Sequence, residues 1–223
     1  MDFVEYPDRD LLILGLADRL TADLAEALRL NDRVSFSVPG GTTPGPVFDV
    51  MSEQALDWDR VAVVLNDERW VPEDNPRSNT GLIRKRLLVS KASAATLIPL
   101  YAAAEQPEDR LEDLAGGLAP HLPLSVLLLG MGADMHTASL FPGADNLAAA
   151  LADDAPPLMA MRAEGAGEPR ITLTAPVLKA AMTIHILITG ADKRAALERA
   201  ASLPLAEAPV RCVLGQAMVH WAE

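Results

Sequence analysis

Residues 124–143 read LSVLLLGMGADMHTASLFPG, and this stretch decides the fold. The apolar run Val126, Leu127, Leu128, Leu129 breaks at Gly130, Met131 and Gly132. Asp134 and His136 follow at once, and the short segment 137–141 stops at Pro142 and Gly143. An apolar strand that delivers an acid and a histidine into a glycine-bearing loop is how an open α/β sheet builds a site. Ligands in such sheets bind beyond the carboxyl ends of the strands.

Outward from this stretch, strands are expected at 34–38, 61–65, 124–129, 158–161, 171–174, 183–189 and 210–214. Helical patterns fall between most of them, at 11–30, 44–51, 78–88, 108–119, 175–181 and 191–201. In the first, Leu12, Leu16, Leu20, Leu24 and Leu28 recur every four residues and make one buried face. Pro44 sits in a first turn, where its missing N–H costs nothing, and Ser78 suits an N-cap. The inner strands are apolar along their whole length. That pattern indicates a mostly parallel central sheet with helices on both faces, a Rossmann-like open α/β fold. There is no repeat and no low-complexity segment, and the alanine-rich 144–157 reads as a short helix plus a loop. Residues 1–223 are therefore expected to form one domain.

Three loops carry candidate chemistry. The first, Pro39-Gly40-Gly41-Thr42-Thr43-Pro44, joins a strand to a helix. Its glycines let backbone approach a ligand, and its hydroxyls and helix-start N–H groups can hold an anion. A plain strand-to-helix turn would use the same glycines. It is neither a Walker loop nor a GxGxxG fingerprint. The second, Asn66 to Pro72, carries Asp67, Glu68 and Arg69 and runs on to Arg77, Ser78 and Asn79. Either acid can take a proton or orient a hydroxyl, and the arginines suit phosphate oxygens. The commoner fate of such a triplet is a solvated loop with local ion pairs. The third loop is the opening one. An ordinary imidazole has a pKa near 6.5, so His136 is mostly neutral near pH 7 and able to accept a proton. His121, His185 and His220 read as structural. Arg170, opening a strand, and Lys193, just after Gly190, can add cations to the same cleft, although each alone reads as a surface cation.

Composition narrows the partners. The chain of 223 residues is 50% hydrophobic and carries a formal net charge of −12. That charge argues against nucleic acid and against an anionic membrane surface. A small anion remains compatible if a few cations gather in one pocket. Cys212 is the only cysteine, which leaves no intrachain disulfide; it reads as core in a strand. The N-terminus MDFVEYPDRD lacks a signal-peptide layout, and no apolar run approaches the roughly 20 residues that span a bilayer. A soluble, cytoplasmic protein is expected, a monomer or small homo-oligomer. The histidines show no metal-ligand spacing, and there is no G-x-S-x-G elbow.

Together these segments resemble the 6-phosphogluconolactonase family. The resemblance rests on residues 40–44, 67–72, 78–79 and 130–143. It continues in order through Arg170-Ile171-Thr172-Leu173-Thr174, Gly190 with Lys193, and Trp221. It implies an α/β fold shared with amino-sugar phosphate deaminases, no metal or organic cofactor, and hydrolysis of 6-phospho-D-glucono-1,5-lactone in the pentose phosphate pathway. His136 is then the expected general base for water, with Asp134 or Asp67 orienting it. Gly40, Gly41, Thr42, Thr43, Arg69, Arg77, Asn79, Arg170 and Lys193 are the expected substrate and phosphate contacts. Two departures stand out: Pro39 precedes the glycine pair where a small residue such as serine is common, and the family usually has glycine where Met135 lies. Met135 would be strained if its φ is positive, or would narrow the pocket if the glycine makes room for substrate. Two other readings compete. An isomerase-deaminase would use an acid that the segment 136–141 lacks. A non-catalytic sugar-phosphate sensor would carry a DNA-binding segment, and none is evident.

Overall fold

A computed structural model describes residues 1–223. Its strands are β1 (Asp2–Glu5), β2 (Val34–Val38), β3 (Val61–Leu65), β4 (Asp67–Arg69), β5 (Thr96–Ile98), β6 (Val126–Gly130), β7 (Leu158–Met161), β8 (Arg170–Leu173), β9 (Thr183–Thr189) and β10 (Ala217–Ala222). Its helices are α1 (Arg9–Leu30), α2 (Gly45–Ser52), α3 (Asn79–Arg86), α4 (Leu111–Leu118), α5 (Leu147–Leu151), α6 (Ala175–Lys179), α7 (Ala191–Ala200) and α8 (Arg211–Leu214).

Seven strands form the main sheet in the order β1-β10-β9-β6-β2-β3-β5, and every neighbouring pair is parallel. All five residues of β2 and of β3 are buried, so both faces of the sheet are covered there. From β2 the chain winds one way to β3 and β5, then returns to β6 on the other side. That reversal leaves a crevice between the carboxyl ends of β2 and β6, where open sheets bind ligands.

Helix α1 buries the expected leucine stripe, Leu12, Leu16, Leu20, Leu24 and Leu28. It starts two residues earlier than the periodicity suggests because Asp8 caps it, accepting from Leu11 N at 2.8 Å. Beneath α1 lies a buried polar chain. Asp23, paired with Arg19 at 3.0 Å, meets His185 Nε2 at 2.8 Å. His185 Nδ1 lies 3.0 Å from His220 Nε2, and Tyr6 OH lies 2.9 Å from His220 Nδ1. The structural reading of these two histidines therefore holds.

Three expectations need correction. Residues 210–214 are not a strand: Val210 leads into α8, and the last strand is β10, which begins at Ala217. The apolar run VRCVL is too short for its period to separate the two, and backbone bonds such as Val213 N to Val210 O settle it as helical turn. Cys212 thus lies in a helix, where burial pushes its thiol up to about 12. Residues 67–69 are not a solvated loop but β4, with Asp67 and Glu68 buried. β4 joins a second sheet, β4-β8-β7, antiparallel throughout, which the sequence reading did not anticipate. Its Leu158, Met161, Ile171 and Leu173 belong to the same continuous core of 58 residues as the main sheet. No helix is long and apolar enough to cross a membrane.

Candidate active site

A cleft of about 240 Å³ opens at the crevice between β2 and β6. It is lined by loop 39–44 after β2, by Asp67 and Arg69 of β4, and by Asn79 at the start of α3. Gly130 to Gly132, His136 and Ala138 after β6, Arg170 of β8, the end of β9 and Lys193 of α7 complete it. The strand ends of the main sheet and one edge of the small sheet thus converge on a single cavity.

The loop after β6 folds tightly on itself. Gly132 N donates to the His136 carbonyl and Met135 N to the Gly132 carbonyl, both at 2.9 Å. Gly132 is required by close approach: a Cβ there would lie 2.1 Å from His136 Nδ1 and 2.3 Å from Asp134 Oδ1. Those two atoms are 2.5 Å apart. Asp134 therefore takes the Nδ1–H and fixes the imidazole tautomer, leaving Nε2 as the acceptor, with no protein partner. Burial pushes the Asp134 carboxyl up, but the charge and hydrogen bonds of His136 outweigh it and hold it below the usual carboxylate range. Met135 has φ +65° and Ala138 φ +49°, so His136 sits between two left-handed non-glycine residues. Met135 does not line the cleft. Of the two expectations for it, strain is realised and narrowing is not.

Asp67 occupies a different corner. Its Oδ2 accepts from Ser139 Oγ at 2.5 Å and lies 3.5 Å from Arg170 Nη1. Asn79 Nδ2 donates to the Asp67 carbonyl at 2.9 Å. Asp134, not Asp67, is the partner of His136. Gly40 is small because Asn79 fills its Cβ position: a Cβ would come within 1.9 Å of Asn79 Oδ1. Ser139 and Thr172, whose Oγ1 accepts from Ser139 N at 3.1 Å, escaped the sequence reading. The only signal for Ser139 was its place three residues after His136, since a buried serine has no periodic signature. Glu68 is committed elsewhere. Wholly buried, it accepts from Arg69 N, Asn79 N, Thr80 N and Ser78 Oγ at 2.7–3.1 Å, holding the start of α3.

The cations group on the small sheet. Arg69 and Arg170 are directly opposite in the β4–β8 register, where like charges repel. Nε of each is buried without a partner. Arg170 is 9% exposed and also stacks over Phe141, whose ring centroid is 5.1 Å from the guanidinium carbon; the other neighbour of that ring is His136, at 4.4 Å. Burial lowers the proton affinity of Arg170, with Asp67 opposing. Lys193 donates to the Met131 carbonyl, and burial pulls its amine down while Asp134 opposes. Thr42 and Thr43 are exposed at the rim. Arg77 stands beside the cleft rather than in its lining, with Nε 2.6 Å from Glu168 Oε1. No three His, Cys, Asp or Glu side chains converge in a way that could hold a metal ion. The arrangement offers an imidazole with a free Nε2 facing a small cleft that also holds under-partnered cations. That suits proton removal from a water beside an anionic ligand.

The chain is similar to known proteins. The family model for glucosamine-6-phosphate isomerases/6-phosphogluconolactonase matches residues 7–221. The chain is 42% identical to 6-phosphogluconolactonase of Rhizobium meliloti (strain 1021) over 224 residues, covering 97% of each chain. It is 36% identical to that of Caulobacter vibrioides over 225 residues, covering 98% of this chain and 96% of the relative. The crystal structure of a 6-phosphogluconolactonase from Shewanella baltica superposes with a TM-score of 0.96 at 31% identity, covering 100% of this chain and 98% of the other.

Proposed function

The chain belongs to the glucosamine-6-phosphate isomerase/6-phosphogluconolactonase family, and from that premise we propose that its cleft hydrolyses 6-phospho-D-glucono-1,5-lactone to 6-phospho-D-gluconate. The protein is a hydrolase of a lactone ester, and the oxidative branch of the pentose phosphate pathway is where this step belongs. The cytoplasm is its proposed location, with the whole chain acting as one unit.

The observation that carries the mechanism is the 2.5 Å contact between Asp134 and His136 Nδ1, which leaves Nε2 free at the cleft. A water held at Nε2 gives up its proton as it attacks the lactone carbonyl. The ring oxygen then leaves, taking that proton back from the imidazolium. A cyclic ester is electrophilic enough to need no covalent nucleophile. Arg69, Arg170 and Lys193, with the N–H groups and hydroxyls of Gly40, Gly41, Thr42 and Thr43, supply the countercharge for phosphate and oxyanion. Phosphate binding, remote from the reacting carbon, orients the lactone. Asp67 and Asn79 hold the cleft wall beside Arg170.

The deaminase reading is not favoured, because the relatives are named as lactonases and the segment 136–141 lacks the acid that chemistry uses. The sensor reading is not favoured, because the relatives are named as lactonases. The test is the rate of lactone hydrolysis, with the lactone generated in place from glucose 6-phosphate and spontaneous hydrolysis subtracted. His136→Ala should lower kcat by about 10²–10⁴ with circular dichroism unchanged. A folded variant with undiminished kcat rules out His136 as the base.

A further inference from the structure

One expected phosphate ligand is held back from the cleft. Arg77 stands next to Arg170, since both donate to the Ala166 carbonyl at 3.3 Å. Its Nε, however, is bound by Glu168 Oε1 at 2.6 Å. Glu168 lies on the segment between β7 and β8, where Gly165 and Gly167 adopt φ of +77° and +81°. Its second oxygen, Oε2, is buried and accepts no hydrogen bond. A carboxylate oxygen without water or donor is a poorly satisfied acceptor. Two donors nearby are equally unmet, Nε of Arg69 and Nε of Arg170. Arg69, Arg77, Asp67 and Glu168 all act on Arg170 through their charge. Three guanidinium groups therefore face two carboxylates, and the pairing among them is incomplete.

We propose that Glu168 sets the affinity of the cleft for phosphate by competing with it for Arg77. This rests on the sugar-phosphate reading above. An incoming phosphate offers the Arg77 fork a second oxyanion of higher charge, so the fork transfers from carboxylate to phosphate. No covalent bond changes. The freed Glu168 carboxylate then faces an anion, which weakens the grip on substrate and product alike. Binding is thereby kept loose enough for the product, which retains the phosphate, to depart.

Glu168→Gln keeps the shape and removes the charge. KM for the lactone by kinetics and the dissociation constant for inorganic phosphate by titration calorimetry are to be measured in the full chain, for the parent, Glu168→Gln, Arg77→Ala and the double variant. Both constants should fall by about two- to fivefold in Glu168→Gln, the range for an ion pair at this exposure. The fall should vanish in the Arg77→Ala background. Constants that rise or stay put, or a fall that persists without Arg77, overturn the competition. If the parent hydrolyses no lactone but phosphate binding still tightens in Glu168→Gln, the lactonase reading fails and this one stands.

Discussion

At the scale of single residues, Met135 shows what the sequence could and could not say. Its identity between an acid and a histidine was plain, and so were the two consequences open to it. Only the backbone decides between them, because φ is set by the whole turn 132–136. With φ +65°, methionine carries left-handed strain of about 1 kcal/mol, and the Val210 N–H bound to its carbonyl at 3.1 Å helps to hold it there. Met135→Gly should therefore leave Tm equal or higher, whereas the β-branched Met135→Val should cost about 1–2 kcal/mol in thermal unfolding. Equal loss in both variants would mean that side-chain packing, not φ, governs this position. His136, Asp134 and Asp67 were legible because they follow apolar strands directly. The role of Ser139 was not, because it depends on a contact with Asp67, 72 residues away in the chain.

At the scale of elements, the parallel sheet was legible and the small antiparallel sheet was not. β3 and β6 announce themselves as continuous apolar runs, and β2 and β9 as mostly apolar segments broken by serine, threonine or histidine. β4 is Asp-Glu-Arg, which no hydrophobic pattern can identify; it is a strand because β8 pairs with it and because Glu68 finds its donors at α3. That carboxylate gathers the Arg69 N–H of its own strand, the first two N–H groups of α3 and the Ser78 hydroxyl, so it replaces water for half of the free N–H groups of that helix start. Glu68→Gln, which turns one acceptor into a donor facing donors, should cost about 2–3 kcal/mol in urea unfolding. A loss below 0.5 kcal/mol would show that α3 needs no such anchor; that bound is about the effect of an ordinary surface change. The reading of 210–214 as strand failed for the opposite reason, since a short apolar run fits either period.

At the scale of the whole molecule, the chain Arg19–Asp23–His185–His220–Tyr6 ties α1 to the sheet and makes stability depend on pH. Burial first, with the charges of His185 and Arg19, pushes His220 down to about 3. The unfolded chain protonates this imidazole near pH 6.5. Between those values the unfolded state holds the extra proton, so stability falls as pH falls, by at most about 1.4 kcal/mol per pH unit. Asp23 acts in the same sense at lower pH. Burial raises it, but hydrogen bonds to His185 and Arg19 prevail and hold it below the ordinary carboxylate value, so its contribution is lost as pH falls through the folded value. His220→Gln should flatten the slope of unfolding free energy between about pH 6.5 and 4.5; an unaltered slope would locate the acid sensitivity elsewhere. The same sheet order has a consequence in time. β1 has one neighbour, β10, with Asp2 opposite Met218. A ribosome adding about 5–20 residues per second takes on the order of 10–40 s to pass from one to the other. For that interval the first strand made has nothing to pair with, and its flanking charges, Asp2 and Glu5 on either side of Phe3 and Val4, oppose a waiting edge joining that of a neighbouring nascent chain.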